Sequence, residues 1–275
     1  MKSTSIMAFT AVLLLAPCKL TAQTAPTGPT SVSDDFGVDL TVGLEKKIAT
    51  GLSAEIEGNF RSQDNTNRAE RWLVGAGLSY RLYRSADKRF NLKANAGFEY
   101  MWKHKLGGIT EHFSEGGDLN GYNQTECFWR DRHRTSLGAT MSFKPSKRWT
   151  FQLKETMQYN HLSADSTVRY KWRYNDDDEL YVRQDNKIYT PKDRFVLRSK
   201  LTVEYNIKGL PLNPYASVDY GAGVNYTANK WKLTVGMDFN IDKQQKITMF
   251  YRFQHENDGE EPNGHLVGLG YKIDL

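Results

Sequence analysis

Hydrophobic and polar residues alternate with a period of two along most of this chain. Residues 36–45 and 52–61 show the pattern most clearly, with an apolar side chain at every second position. Successive side chains of a β-strand point to opposite faces, so the alternation predicts strands with one apolar and one polar face. Eleven such segments are present: 36–45, 52–61, 71–82, 90–102, 132–144, 149–160, 194–206, 212–220, 230–240, 246–254 and 265–275. No run of apolar residues at helical spacing interrupts them, which excludes an α/β fold.

The period alone does not distinguish a dry core from a lipid-facing surface, because a soluble β-sandwich alternates as well. Two further patterns favour a membrane. Aromatic residues lie at both ends of segments such as 72–80, 90–102 and 231–239, where the two membrane interfaces would hold them. The connections also alternate between short (46–51, 83–89, 145–148, 207–211, 241–245) and long (62–70, 103–131, 161–193, 255–264). Short periplasmic turns and long extracellular loops produce this asymmetry, so we predict a transmembrane barrel rather than a soluble exported protein.

The strand count conflicts with the usual rule for bacterial barrels. These barrels normally have an even number of antiparallel strands, whereas eleven segments are found here. Either the count is unusual or one segment is misassigned, and 212–220 is the weakest because Pro214 interrupts it. We therefore predict an all-β fold, a single antiparallel transmembrane β-barrel of about 10–12 strands over residues 36–275.

The beginning of the chain has the order of a secretory signal. Lys2 precedes an apolar run, and small residues end at Ala22 before Gln23. The apolar run is too short for a membrane-spanning helix. We predict a signal peptide over residues 1–22, an N-terminal extension over 23–35 that could thread the lumen, and export to the outer membrane. The final segment, 265–275, resembles the C-terminal strand by which outer-membrane barrels are recognised for insertion.

Charge and cysteine content exclude several other classes. The formal charge is +5, and about +3 once Lys2 and Lys19 leave with the signal, which does not indicate a nucleic-acid partner. Cys127 would then be the only cysteine, so no internal disulfide is expected. No cofactor and no metal site are predicted.

The polar faces supply the candidate functional residues, because in a membrane barrel they line the lumen. Acidic residues gather on the first two segments and basic residues on the fifth to seventh. Closure could place the two groups across the lumen, either as a transverse field over a narrow water path or as a ladder of ion pairs that plugs it. The candidates are Glu55, Glu57, Arg132, Arg134, Lys154, Arg194, Arg198, Lys200 and Arg252.

Barrel size leaves two functions open. Barrels of about eight strands are filled by side chains and those of sixteen leave a channel, so ten to twelve strands are intermediate. The sequence favours a narrow pore or a ligand-binding, solute-conducting barrel. The alternative is a closed structural barrel that binds through its surface loops.

A lipid-acyl hydrolase is a weaker alternative. Some outer-membrane barrels carry a Ser–His pair near the outer rim, and His161, Ser163, Asp165 and Ser166 follow the sixth segment. Their spacing is loose, and the chain lacks G-x-S-x-G, so a solvated loop is the preferred interpretation and no enzyme is predicted.

The connection 161–193 predicts a hairpin above the membrane. Aromatic residues such as Tyr170 and Trp172 alternate before an acidic tip, Asp176 to Glu179. Four adjacent acids could hold a divalent cation that bridges lipopolysaccharide phosphates, but they lack the spacing and glycine of a calcium loop. A solvated turn is therefore favoured.

Short stretches spread over most of the mature chain carry a family resemblance. They are Glu70-Arg71-Trp72 with Gly77-Leu78-Ser79-Tyr80, Asp193-Arg194-Phe195-Val196-Leu197-Arg198-Ser199 with Glu204-Tyr205, Asn213-Pro214-Tyr215-Ala216-Ser217, and Tyr251-Arg252-Phe253 with Glu260-Glu261-Pro262-Asn263 and Gly268-Leu269-Gly270-Tyr271. They resemble the Gram-negative outer-membrane barrels known as domain of unknown function 2490. The resemblance implies fold and location but no catalytic residue. That location implies membrane lipid and lipopolysaccharide as surroundings and the barrel-assembly machinery as a partner during insertion.

Overall fold

The computed structural model describes residues 35–175, 179–224, 229–256 and 263–275, and every regular element in these ranges is a β-strand. The predicted signal peptide, almost all of the N-terminal extension and the acidic residues 176–178 lie outside the described residues. Within those ranges there is no helix with the length and apolar character to cross a membrane.

Fifteen strands follow one another along the described chain. They are β1 Asp35–Ala49, β2 Leu52–Gln63, β3 Arg68–Arg84, β4 Phe90–Lys105, β5 Gly108–Phe113, β6 Leu119–Thr125, β7 Phe128–Phe143, β8 Trp149–Leu162, β9 Asp165–Tyr174, β10 Leu180–Tyr189, β11 Lys192–Tyr205, β12 Leu212–Gly223, β13 Asn229–Asn240, β14 Gln245–Glu256 and β15 Gly264–Asp274. Eleven of them close into a barrel in the order β1-β15-β14-β13-β12-β11-β8-β7-β4-β3-β2. Each of the eleven predicted segments coincides with one barrel strand, so the all-β barrel prediction and the strand number are confirmed.

The barrel closes through a parallel pair of strands, which corrects the prediction of a fully antiparallel barrel. β1 runs beside β15 in the same direction, from Asp35 opposite Gly264 to Glu45 opposite Asp274. With an odd number of strands the first and last must point the same way, so closure requires one parallel ladder. The odd count therefore reflects the topology and not a misassigned segment.

Pro214 does not weaken β12. It lies beyond the last residue pair between β11 and β12, which joins Glu204 to Tyr215. Towards β13 it is opposite Met237. A proline is tolerated at such a strand end because no partner on the β11 side needs its missing N–H.

The two ends of the barrel differ in their connections. The end that holds Gly51 and residues 206–211 carries short turns, and we call it the turn rim. The opposite end carries the connections 106–127 and 163–191, and we call it the loop rim. The connection expected over 62–70 is only residues 64–67, because β2 and β3 extend past a bulge at Arg61 and Ser62.

Apolar side chains lie mainly on the outer face of the barrel and polar side chains mainly on the inner face. Apolar residues on the outer face are open to the surroundings, with Leu137 60% exposed, Met249 59% and Ile56 58%. The interior is polar instead, and its most deeply buried large side chains are Arg61 and Glu70. A soluble barrel buries its apolar face, so this distribution is that of a barrel surrounded by lipid.

A four-stranded sheet extends the wall beyond the loop rim. Its strand order, β10-β9-β6-β5, repeats the order β11-β8-β7-β4 of the barrel strands from which it rises. The predicted hairpin in 161–193 is confirmed as β9 and β10, whereas the β5–β6 hairpin was not anticipated. Its signal was the Gly116-Gly117-Asp118 turn between two short alternating runs.

Glu155 interrupts the apolar outer face of β8. A bulge or a position near the rim would explain a carboxylate there, but β8 pairs without a register shift and Glu155 lies in mid-strand, opposite Ala139 and Ser199. The Ser199 hydroxyl donates a hydrogen bond of 2.6 Å to it. The hydrogen bond from the Ser199 hydroxyl is thus the interaction that stabilises this outward-facing carboxylate within the apolar face.

Candidate functional site: a basic lumen

Two large cavities lie in the described part of the barrel interior. The lower cavity, at the turn rim, has a volume of about 600 Å³, and the upper cavity, towards the loop rim, about 380 Å³. Their linings share Glu57, Leu73 and Glu99. The lumen of this barrel is therefore neither filled nor wide, as expected between eight and sixteen strands.

All nine candidate residues line these cavities. Glu55, Glu57 and Lys154 line the lower one. Glu57 also lines the upper one, together with Arg132, Arg134, Arg194, Arg198, Lys200 and Arg252. The alternation of apolar and polar residues predicted their inward orientation correctly, because successive side chains of a strand point to opposite faces whichever strands lie beside it.

The ring order places β1 and β2, which carry the acidic group, across the barrel from β8 and β11, which carry basic residues, as expected. Several ion pairs in the described part of the chain nevertheless join side chains along the wall. Arg134 donates to Glu99 on the adjacent strand β4 at 2.8 Å. Lys272 on β15 contacts Glu45 at 2.6 Å and Glu55 at 2.9 Å. Register pairing makes neighbouring strands the first partners, since directly opposed side chains are about 5 Å apart.

The deepest polar cluster spans the parallel closure. Asp39 on β1 accepts from Arg61 on β2, at 2.7 Å from Nη2 and 3.1 Å from Nε. It also accepts from Arg252 on β14 at 3.3 Å and from the Asn59 amide at 2.6 Å. Glu70 lies 3.7 Å from Arg61. One carboxylate therefore links three strands around the β1–β15 pair.

Glu70 was missed as a lumen residue. Arg61 is opposite Arg71 and Ser62 is opposite Ala69, so Glu70 is the extra residue of the bulge. Strict alternation from Arg71 would turn Glu70 outward, but it is buried beside Arg61. A bulge depends on pairing between strands, and one sequence gives no signal for it.

Basic side chains outnumber acidic ones in both linings. The upper cavity is lined by ten basic and five acidic residues, and the lower one by seven basic and four acidic residues. Low-dielectric walls concentrate the field of such an excess within the water between them. The lumen as described is consequently a positive environment that attracts anions.

The positive surface continues beyond the loop rim. Tyr189 on β10 packs on Phe128 and Arg130, whose guanidinium lies 5.5 Å from the ring centre. Phe128 and Arg130 begin the lumen-facing set of β7, so this face of the outer sheet adjoins the lumen. The same face carries five basic residues: Arg169, Lys171, Arg173, Arg183 and Lys187.

One acid balances part of this outer face. Asp185 accepts from Arg169 at 2.6 Å and lies 2.6 Å from the Lys171 ammonium. These hydrogen bonds, with that of Arg169 the larger, hold the pKa of Asp185 well below its ordinary value. Asp185 thus stays ionised in its basic surroundings. On the opposite face of the outer sheet, the hydrogen bond that Tyr170 donates to Glu126 raises the pKa of the Tyr170 phenol.

The residues proposed for a hydrolase do not assemble. His161 contacts Asp193 at 2.7 Å, a pairing that sequence reasoning missed. Asp165 accepts a hydrogen bond of 2.7 Å from the backbone of the neighbouring Ser166. Within the described ranges His161 has no contact with a serine, so the structure supplies no activated nucleophile.

Comparisons with known proteins add little. No protein-family model and no curated protein sequence matches this chain. Among solved structures it is similar to the anion-selective porin from Comamonas acidovorans, with 10% sequence identity over 83% of each chain and a TM-score of 0.23. The likeness is too low to carry an argument about function, and the resemblance to domain of unknown function 2490 stays a prediction.

Proposed function

We propose that this protein is a narrow pore in the outer membrane of Gram-negative bacteria that passes small solutes and favours anions. The observation that carries the proposal is the excess of basic over acidic side chains in both cavities. The exposed apolar outer face supports the membrane location. Outer-membrane lipid and lipopolysaccharide would then surround the barrel, and the barrel-assembly machinery would insert it.

The basic face of the outer sheet supports the preference for anions. It lies beside the lumen mouth, where positive charge raises the local concentration of anions and their rate of entry. An anion would then meet basic residues first on this sheet and afterwards in the upper and lower cavities.

Ion selectivity in planar bilayers tests the proposal. Purified protein should give discrete conductance steps, and under a potassium chloride gradient the reversal potential should have the sign of anion selectivity. The triple variant Arg194→Gln, Arg198→Gln, Lys200→Gln lowers the basic excess of the upper cavity from five to two. We expect its reversal potential to move towards zero.

A matched triple variant separates lumen charge from overall charge. Lys147, Lys208 and Lys243 are exposed in turns and line neither cavity. Replacing them with glutamine removes the same charge and should leave selectivity unchanged. Equal shifts in both triple variants, or cation selectivity of the unaltered protein, would contradict the proposal.

A closed barrel that binds through its outer sheet is the second candidate. It is favoured by the Glu99–Arg134 ion pair, because Glu99 lies where the two cavities meet and its partner lines the upper one. Conductance indistinguishable from the empty bilayer would support the closed barrel over the pore.

A further inference from the structure

Strand register aligns basic residues into one continuous row on the lumen wall. Each member is directly opposite the next on the neighbouring strand. The row runs Arg81 (β3), Lys93 (β4), Thr140 (β7), Lys154 (β8), Lys200 (β11), Asp219 (β12) and Lys232 (β13). Five of its seven positions are basic and one is acidic. We call it the basic row.

The basic row climbs from one rim to the other. At its lower end the Arg81 backbone N–H donates to Gly51 in a turn of the turn rim. At its upper end Lys232 is opposite Gln254, and Gln254 is opposite Gly264, the first residue of β15 at the loop rim. Barrel strands tilt, so a row perpendicular to them follows a spiral. Six steps of roughly 5 Å make a path of about 30 Å along the wall, and a strand tilt of about 35–45° turns this path into a rise of roughly 20 Å along the barrel axis.

The centre of the row holds an arrangement that is unfavourable by itself. Lys154 and Lys200 are directly opposite each other, and like charges in that position repel. Neither ammonium contacts a carboxylate in the described part of the chain. Asp219, the next residue of the row, is instead held by the Arg198 guanidinium through both of its oxygens. Among the described residues Asp219, opposite Lys200, is thus the nearest acid of the row, but its two oxygens are bound by Arg198 and neither lysine forms a salt bridge with it.

This lysine pair also joins the two cavities. Lys154 lines the lower cavity and Lys200 the upper one. Thr140, opposite Lys154, accepts a hydrogen bond of 2.9 Å from Asn95, so its own hydroxyl proton remains to be donated. Two ammonium groups and one hydroxyl are donors suited to an anion with several oxygens.

We propose that the basic row is the route of anions through the lumen and that Lys154 and Lys200 form a binding station for a small oxyanion such as inorganic phosphate. The inference rests on the proposed pore function for the route, but the station can be tested without conduction. An oxyanion bridging the two ammonium groups would replace their repulsion by two charge-assisted hydrogen bonds.

Phosphate binding to the detergent-solubilised protein tests the station directly. Isothermal titration with inorganic phosphate should give one site, and Lys154→Gln with Lys200→Gln should weaken it by about tenfold or more. Lys154→Arg with Lys200→Arg should retain binding because the charges remain. The control is Lys88→Gln with Lys144→Gln, which removes two lysines of the lower cavity outside the basic row and should bind phosphate as the unaltered protein does.

Conductance separates failure of the station from failure of the pore. If chloride current is reduced by phosphate in the unaltered protein and in the control, but not in the Lys154→Gln, Lys200→Gln double variant, route and station are both supported. Phosphate binding without any conductance would overturn the pore and the route while upholding the station. A third outcome is that the protein conducts ions and binds phosphate, but the Lys154 and Lys200 substitutions weaken phosphate binding no more than the control substitutions do. This outcome would overturn the station but not the pore.

Discussion

Asp39→Asn should weaken the parallel closure of the barrel more than any loss of an exposed ion pair. The carboxylate is 3% exposed and accepts from Arg61, which is fully buried, and from Arg252 across β15. The amide retains the shape but removes the charge that compensates both guanidinium groups. A buried charge left without its partner costs about 3–5 kcal/mol.

The surroundings of Arg61 place the expected cost of Asp39→Asn at the lower end of the range of about 3–5 kcal/mol. Glu70 remains 3.7 Å from Arg61 and compensates part of its charge, so we expect a loss of about 3 kcal/mol in the free energy of unfolding. That corresponds to roughly a hundredfold change in the ratio of folded to unfolded protein. Urea titration of the barrel folded in phospholipid vesicles, followed by tryptophan fluorescence and by heat-modifiable mobility in gels, measures it.

Asp238→Asn is the matched control. Asp238 also faces the lumen and contacts Lys246 at 2.9 Å, but the Lys246 side chain is 38% exposed and the pair lies within the antiparallel strands β13 and β14. We expect a loss of about 1 kcal/mol or less. If Asp39→Asn costs no more than this control, the parallel closure does not depend on the buried cluster and the reasoning is refuted.

Three further predictions concern the wall and the outer sheet. Glu155→Leu should raise the free energy of unfolding in vesicles by about 1–2 kcal/mol, since it removes a carboxylate from the lipid-facing surface; a loss of stability would show that the Ser199 hydrogen bond outweighs this cost. Gly268→Ala should destabilise the barrel by about 1–3 kcal/mol, because an added Cβ would collide with the Phe250 ring, whereas Gly58→Ala, with open space around it, should have little effect in the same urea titration. Asp185 has a lowered pKa in the folded protein, so its contribution to the outer sheet is present above its ordinary pKa of 3.8 and is lost as the pH falls below that value. Proteolysis of the outer hairpin by pepsin should therefore increase below about pH 4 relative to an unstructured peptide, and Asp185→Asn should abolish that increase; identical pH profiles for both proteins would contradict the assignment.

Much of the barrel could be predicted from local pattern. The alternation located all eleven barrel strands, and for Glu55, Lys154 and Arg198 it identified the face that lines the lumen. Both results depend only on the period of an extended chain, which every residue carries independently of its partners. The hairpin of β9 and β10 was predicted for the same reason.

Features that depend on strand pairing were not predicted. The bulge at Arg61 and Ser62 turned Glu70 into the lumen against the alternation. The hydrogen bond between His161 and Asp193 joins residues 32 positions apart, and nothing in the spacing pointed to it. The ring order places the acidic strands β1 and β2 across the barrel from β8 and β11, as expected, but the sequence did not show that Asp39 and Glu99 would pair along the wall with Arg61 and Arg134.

The chain's own alternation was thus sufficient to define a barrel with an apolar outside and a charged inside. Which charges meet was decided only when β1 closed on β15 in parallel and the register of every strand was set around the ring. A one-residue slip between two strands would place different side chains opposite Lys154 and Lys200 without changing the hydrophobic pattern of either strand read separately. The basic row is consequently a property of the paired sheet, since residues on different strands become opposed only when the strands from β3 to β13 are hydrogen-bonded in register.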